Sequence, residues 1–184
     1  MLDEQHDDAA SAALALDASF DVSAMHVFAE DAFRRTRQAY EAGQLEDVSS
    51  LLGGEVLEHL TNHRQNGQAT HVVVGVERIQ SLSSSIMGAT EQGNSLEVRV
   101  RFVVAGEIGD LPLTPDAVVD EPLRSRSWQE IWTFRRGAGA TTTATICQNC
   151  GAPAPAYGGP CAYCHAWIQP GTAAWTVVEL ESYA

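Results

Sequence analysis

Four cysteines in the last quarter of the chain are the residues with the most specific chemistry. They form two couples, Cys147-Gln-Asn-Cys150 and Cys161-Ala-Tyr-Cys164, which are ten residues apart, and the chain has no other cysteine. Two C-x-x-C couples at this spacing can place four thiolates tetrahedrally around one Zn²⁺ ion. Because four protein ligands leave no open coordination position, the spacing predicts a structural zinc ribbon and no catalytic metal.

The residues that follow each couple bear on the same site. Gly151 follows the first couple and His165 the second, at a position where a positive φ turns backbone amides toward the sulfurs. Glycine adopts that conformation freely and histidine tolerates it, although His165 could instead replace a cysteine as a ligand. Two disulfides or a redox C-x-x-C pair are the rival interpretations; a reducing compartment favours metal over both.

Glu130 is the candidate general acid or base. In the strand predicted over 128–135 it shares one face with three aromatic residues. If that face is buried, desolvation raises the pKa of Glu130, as a proton-transfer group requires. If the face is open, Glu130 is a cross-strand charge partner of an arginine such as Arg99 or Arg101. The open face is the preferred interpretation.

Two further groups on predicted helices have weaker signals. His59 and His63 have the i, i+4 spacing of two metal ligands, but no third ligand is identifiable, so a solvated face is preferred. Arg34, Arg35 and Arg37 form the densest basic group. This group could meet an acidic partner or lipid, and plain solvation is again the preferred interpretation.

The composition excludes several functions. The net charge is −13, and all 11 basic residues are arginine, which opposes nucleic-acid binding and excludes lysine Schiff-base chemistry. No run approaches the roughly 18 apolar residues of a membrane span, and the N-terminal segment is acidic where a signal peptide is basic. We therefore predict a cytoplasmic protein with at most peripheral contact to the inner membrane.

Hydrophobic periodicity predicts three helices first. Residues 1–20 are acidic and lack helical periodicity, which predicts a disordered leader. A short helix on the surface, over the Ala/Leu stretch Ala9–Leu16, is the alternative. A buried stripe at three-to-four spacing then predicts a long helix between Ser23 as its cap and Gly43 as its end. A short helix over 47–52 follows, and a third begins after Gly53-Gly54 and stops near Gly67.

Beyond Gly67 a period of two predicts strands over 71–79, 96–104, 128–135 and 175–180. Residues 106–126 contain three prolines and several acids, which predicts a long loop. Helices followed by antiparallel strands indicate an α+β domain. The cysteines fall between the last two strands, in a stretch from Gly137 to Val178 with no charged residue. Three aromatic residues there can form an exposed patch or, as we prefer, cover the zinc site: Tyr157, Tyr163 and Trp167.

Several of these segments resemble the Tim-forty-four-like (Tim44-like) domain family. The resemblance covers roughly 20–182 and is carried by the helix that ends at Tyr40, by Gly43-Gln-Leu-Glu-Asp-Val-Ser-Ser-Leu-Leu52, and by the His71–Ile79 strand. Its most specific element is Trp132-Thr-Phe-Arg135 paired with Trp175-Thr-Val-Val178. The resemblance implies a cone-shaped, cystatin-like or nuclear-transport-factor-like fold with helices on a curved antiparallel sheet, an apolar pocket, and an adaptor role. Bacterial members that look similar carry a two-knuckle zinc ribbon in the last hairpin.

These observations define the expected organisation and function. We expect a leader over 1–20, a Tim44-like domain over 21–182, and a zinc-ribbon insertion over 144–170. The leading hypothesis is a non-enzymatic adaptor that binds a protein partner or an apolar ligand in the cone pocket. A cone-fold isomerase or dehydratase with Glu130 or His71 as general base is the alternative. A nucleic-acid-binding zinc ribbon is the third hypothesis and is opposed by the charge.

Overall fold

The computed structural model describes residues 11–18, 20–68, 72–112, 117–119, 122–137, 147, 149–150, 152, 159–161, 163–168 and 175–183. Helices come first along the chain and an antiparallel sheet follows. The predicted α+β class is therefore confirmed.

The long helix α2, Val22–Ala42, follows the short helix α1 over residues 11–16 and carries the buried stripe that its sequence predicts. Its first turn is capped by Asp21, whose Oδ1 accepts a hydrogen bond from the Ala24 amide at 2.9 Å, so the cap expected at Ser23 is wrong. The helix ends at Gly43, which has a φ of 72°, as a left-handed C-terminal residue should. The stripe consists of residues three or four positions apart: Met25, Ala29, Ala32, Phe33, Thr36, Ala39 and Tyr40.

The segment after α2 contains one short and one longer helix. The helix expected over 47–52 is replaced by a 3₁₀ turn, Leu45–Val48, which buries Leu45 and Val48. Four residues are the usual length of such a turn. Helix α3, Gly54–Gln68, begins at the second glycine of the pair, so this helix agrees with the prediction.

Within the described residues, six strands form a large and a small antiparallel sheet. The large sheet has the order β1-β2-β3-β6 and the small sheet pairs β4 with β5. The bounds are β1 Val72–Gln92, β2 Ser95–Pro112, β3 Arg124–Gly137, β4 Gly159–Pro160, β5 Trp167–Ile168 and β6 Thr176–Tyr183. The small sheet therefore lies in the connection between the last two strands of the large one, as predicted for the ribbon.

The strands of the large sheet are longer than the sequence indicated. β1 continues 13 residues beyond the expected end at Ile79, and the loop expected over 106–126 is shorter because β2 runs to Pro112 and β3 begins at Arg124. Three register shifts on β1 mark bulges. Bulges bend a sheet and increase its twist, as the curved sheet implied by the family resemblance requires.

One face of the large sheet packs on α2 to form the core. Alternate residues of β2 from Leu96 to Val104 are buried, and so are Trp132 and Phe134 of β3. The ring centroid of Phe33 on α2 lies 4.9 Å from that of Phe102 and 5.0 Å from that of Trp132. These aromatic contacts fill the space between this part of α2 and the sheet.

The segment before α2 differs from the expected disordered leader over the residues that the structure describes. Residues 11–16 form the helix α1. Ala13 and Phe20 are buried, and Asp17 forms a buried ion pair with Arg136. The helix corresponds to the alternative stated for Ala9–Leu16, but Ala13 is buried where a surface helix was expected. Six helical residues are too few to display a periodic pattern.

None of the described helices is long and apolar enough to cross a membrane.

Candidate metal centre

The two cysteine couples have one backbone hydrogen bond in common. In the first, the Cys147 amide donates to the Ala152 carbonyl at 2.6 Å, and in the second the Cys161 amide donates to the Ala166 carbonyl at 2.7 Å. β4 and β5 flank the second couple, so a small hairpin holds it. In each couple, this hydrogen bond joins the first cysteine to the alanine five positions later.

The four sulfurs meet at one point, within 4.8 Å of one another. Cys147 Sγ lies 3.7 Å from Cys164 Sγ, and Cys150 Sγ lies 3.7 Å from Cys161 Sγ. A tetrahedron with metal–sulfur bonds of about 2.3 Å has sulfurs about 3.8 Å apart, whereas a disulfide bond is about 2.05 Å long. The arrangement therefore fits one metal ion, and four thiolates are a donor set that suits zinc.

His165 does not belong to the sulfur cluster. Among the described residues the cluster contains four cysteines and no histidine, and His165 is exposed with a φ of 59°. This agrees with the interpretation of His165 as the residue at positive φ. Gly151, at the matching position of the first couple, lies outside the described residues.

The four thiols differ in burial and in hydrogen bonding. Cys147 and Cys161 are buried, while Cys150 is exposed. Burial opposes ionisation of Cys164, but the hydrogen bonds it accepts from the Asn149 side chain and the Ala166 amide bring its pKa down to about 6. The Cys164 sulfur is thus the one most readily held as a thiolate at neutral pH.

Asn149 and Arg35 are site residues that the sequence interpretation missed. Asn149 Nδ2 donates to Cys164 Sγ at 3.4 Å, and Arg35 Nη2 donates to Asn149 Oδ1 at 2.9 Å. Arg35 belongs to α2, 114 positions away in sequence. No local pattern predicts a contact over that separation.

Glu130 is the second polar centre and lies on the buried face of β3, so the preferred open-face interpretation is wrong. Its Oε1 accepts hydrogen bonds from Trp128 Nε1 at 2.8 Å and from the Arg37 guanidinium, and its Oε2 accepts one from Trp132 Nε1 at 2.9 Å. Its charge partner is Arg37 of α2. Three donors therefore hold the carboxylate.

The arginines expected as partners of Glu130 lie elsewhere. Arg99 pairs with Glu181 at 3.0 Å, and Arg101 donates to Ser85 Oγ at 3.3 Å. Both belong to the opposite face of β2 from its buried residues, since side chains alternate along a strand.

The basic group on α2 divides into three different environments. Arg34 is exposed, Arg35 contacts the ribbon, and Arg37 contacts Glu130. The interpretation as a solvated face therefore holds for Arg34 alone. His59 and His63 are exposed on α3 with ring centroids 6.5 Å apart, and the described residues offer them no third ligand.

The aromatic residues of the ribbon are described only in part. Tyr163 is 69% exposed, so it does not cover the metal centre as we had preferred. Its backbone amide donates to Cys161 Sγ at 3.5 Å. Tyr157 and the alternative general base His71 lie outside the described residues, as does the side chain of Trp167.

Fold and site together define a class of protein: an α+β domain with helices on a curved antiparallel sheet and a four-cysteine ribbon in its last hairpin. The chain belongs to the Tim44-like domain family, whose family model matches residues 6–145. The match confirms the resemblance. It ends before Cys147, so family membership by itself does not assign the metal site.

Five chains of solved structures match this one. Among them is the crystal structure of the intermembrane space region of the chloroplast protein ARC6, with 12% sequence identity and a TM-score of 0.47 over 86% of this chain and 96% of that chain. No curated protein matches.

Proposed function

We propose that this chain is a non-enzymatic adaptor whose zinc ribbon binds a partner protein. Tim44-like domains are often protein-interacting modules and are generally non-catalytic. In this chain Cys147, Cys150, Cys161 and Cys164 would hold one Zn²⁺ ion. The bound ion supplies folding energy to the ribbon and leaves no coordination position for a substrate.

The observation that carries the proposal is the exposure of Tyr163. Its phenol ring stands 69% exposed in the second cysteine turn, and its amide is tied to the sulfur of Cys161. The surrounding stretch from Gly137 to Val178 has no charged residue. An exposed aromatic side chain on an anchored backbone, in a sequence stretch without charge, is typical of a protein contact, because tyrosine is enriched and charge is depleted at interface centres.

The core favours a protein partner over an apolar ligand in a cone pocket. The rings of Phe33, Phe102 and Trp132 are in mutual contact, with centroids 4.9 to 5.4 Å apart. An apolar ligand between α2 and this part of the sheet would have to displace them, and close-packed interiors resist such displacement.

The enzyme hypothesis receives no support from Glu130. A general base needs a lone pair directed at the substrate. Both oxygens of Glu130 already accept hydrogen bonds from Arg37, Trp128 and Trp132. The nucleic-acid hypothesis stays opposed by the net charge of −13. We propose a cytoplasmic location with at most peripheral contact to the inner membrane.

The test is partner binding by the full chain with Tyr163→Ala. We expect the partner recovered from extracts of the native organism to bind the purified variant at least about 10-fold more weakly, as hot-spot residues do. Val27→Ala is the matched control, since Val27 is 55% exposed on α2, and it should stay within about twofold because scattered exposed apolar residues carry little binding energy. Chelation of the metal should also release the partner. A partner that binds wild type, Tyr163→Ala and chelated protein equally would refute the proposal.

A further inference from the structure

The ribbon has a charge that its own residues cannot balance. Four thiolates around one divalent cation have a formal charge of about −2. The stretch from Gly137 to Val178, which contains the ribbon, has no lysine or arginine. A balancing positive charge has to come from another part of the fold, and an anionic centre is stabilised when such a charge lies close by.

Helix α2 supplies a positive charge through one amide side chain. Arg35 Nη2 donates to Asn149 Oδ1 at 2.9 Å, and Asn149 Nδ2 donates to Cys164 Sγ at 3.4 Å. The first bond fixes the oxygen of the amide and so directs its NH₂ group to the sulfur. An arginine that polarises the amide also strengthens the second bond, because hydrogen bonds in a chain reinforce each other.

The side chain of Asn149 connects three parts of the molecule, namely the two cysteine turns and helix α2. Asn149 belongs to the first cysteine turn, between Cys147 and Cys150, yet its side chain reaches Cys164 of the second turn. It also anchors both turns to α2 through Arg35. Hydrogen bonds from surrounding residues orient metal ligands and adjust their donor strength.

We propose that Arg35 and Asn149 are positioning residues of the metal centre: they raise its affinity for the ion and fix the ribbon on α2. This inference rests on the metal site of the proposed function. The effect acts through the Cys164 sulfur, whose negative charge is drawn toward the Asn149 NH₂ group. The second contact of Arg35, with Asp31 at 3.9 Å, lies at the surface and leaves the Nη2 bond to Asn149 in place.

The test uses the full chain with Asn149→Ala, Arg35→Ala and Arg35→Lys. Arg34→Ala is the matched control, because Arg34 is the preceding residue of α2, is exposed, and has no bond to a described residue. Zinc affinity is measured by competition with a chromogenic chelator, and each variant is also loaded with Co²⁺ for absorption spectroscopy. Far-UV circular dichroism verifies that each variant is folded.

We expect Asn149→Ala to lower zinc affinity about 10- to 100-fold, the usual effect of losing a partner that orients a metal ligand. Its Co²⁺ form should show the thiolate-to-metal band at longer wavelength, since a sulfur without its hydrogen bond is the stronger donor. Arg35→Ala should also lower zinc affinity and shift the Co²⁺ band to longer wavelength. Arg35→Lys should show a smaller change in both than Arg35→Ala. Arg34→Ala should match wild type.

Three outcomes would overturn the inference. The first is wild-type zinc affinity and a wild-type Co²⁺ spectrum in both Asn149→Ala and Arg35→Ala. The second is a loss of zinc affinity in Arg34→Ala equal to that in the other variants. The third is a lower zinc affinity with an unchanged Co²⁺ spectrum in every variant. A wild-type chain that binds no metal would refute the metal site itself. A chain that binds one ion with unaffected variants would refute only the roles of Arg35 and Asn149.

Discussion

The carboxylate of Glu130 joins two elements at the centre of the domain. It accepts hydrogen bonds from Trp128 and Trp132 of β3 and from Arg37 of α2. The side chain of Glu130 is 3% exposed and that of Arg37 is 22% exposed, so the pair is shielded from water. Removing one partner of a buried ion pair strands the other charge, which typically destabilises a protein by about 3–5 kcal/mol.

We therefore expect Glu130→Gln to lower the free energy of unfolding by about 3 kcal/mol or more. The amide keeps the shape of the side chain but loses the charge and turns an NH₂ group toward a donor. Urea unfolding followed by far-UV circular dichroism measures the loss. The control is Glu181→Gln, which removes the exposed pair with Arg99 and should change stability by less than about 1 kcal/mol. Equal losses in the two variants would contradict the structural role of Glu130.

Sequence predicted part of this arrangement. The period of two placed Glu130 on one face with aromatic residues, and the structure confirms that face. Which way the face points was not predictable, because the ion-pair partner Arg37 lies 93 positions away. The cysteine couples differ in this respect, since their metal geometry is encoded within 18 consecutive residues.

The hairpin of β1 and β2 is the longest-paired element of the described sheet and has a tight point at Gly106. A Cβ atom built on Gly106 would lie 2.3 Å from the carbonyl oxygen of Arg78 on β1. This approach sits between two of the bulges of β1. Glycine within a strand often marks such a close backbone approach.

We expect Gly106→Ala to destabilise the fold by about 1–3 kcal/mol, because the two strands must separate to admit the methyl group. Gly88→Ala is the matched control on β1, where a Cβ atom would meet nothing within 4 Å. It should be neutral or stabilise the protein by up to about 1 kcal/mol by restricting the unfolded chain. The stabilities of the two variants are measured by thermal unfolding. A Gly106→Ala variant as stable as Gly88→Ala would show that the hairpin relaxes at this point.

Element boundaries followed from sequence where the pattern was strong. The alternation over 96–104 and the glycines that bound α2 and α3 gave correct elements. The extension of β2 to Pro112 was missed, because glycine and acidic residues there disfavour a strand by propensity. Pairing with β1 as far as Pro112, and with β3 as far as Ile108, overrides that preference. The proline still ends the strand, since it has no backbone donor.

The buried apolar residues that the structure describes form two separate clusters. The larger contains α2, the sheet and residues 13 and 20, while the smaller contains Cys147, Cys161 and Ala166. The small cluster has too little apolar area to fold alone, and it shares no residue with the larger one. We therefore expect a bound metal to supply the folding energy of the ribbon.

We expect purified protein to contain one equivalent of zinc by elemental analysis, and less than half an equivalent would refute the metal site. Removal of the metal should leave the domain folded while the ribbon unfolds. Hydrogen exchange followed by mass spectrometry should show loss of protection over 147–168 and retained protection over 96–104. Global unfolding on chelation would contradict the division into two clusters.

The contacts between the segment before α2 and the end of the chain have a consequence for folding during translation. Asp17 pairs with Arg136, and Phe20 meets Trp175 with ring centroids 6.2 Å apart. These contacts join positions separated by more than 115 residues. On the ribosome, α2 and the segment before it emerge long before β3 and β6, with their apolar side chains still uncovered. The domain therefore closes late in translation, and a nascent chain halted before residue 175 should be open to proteases and chaperones at its N-terminal helices.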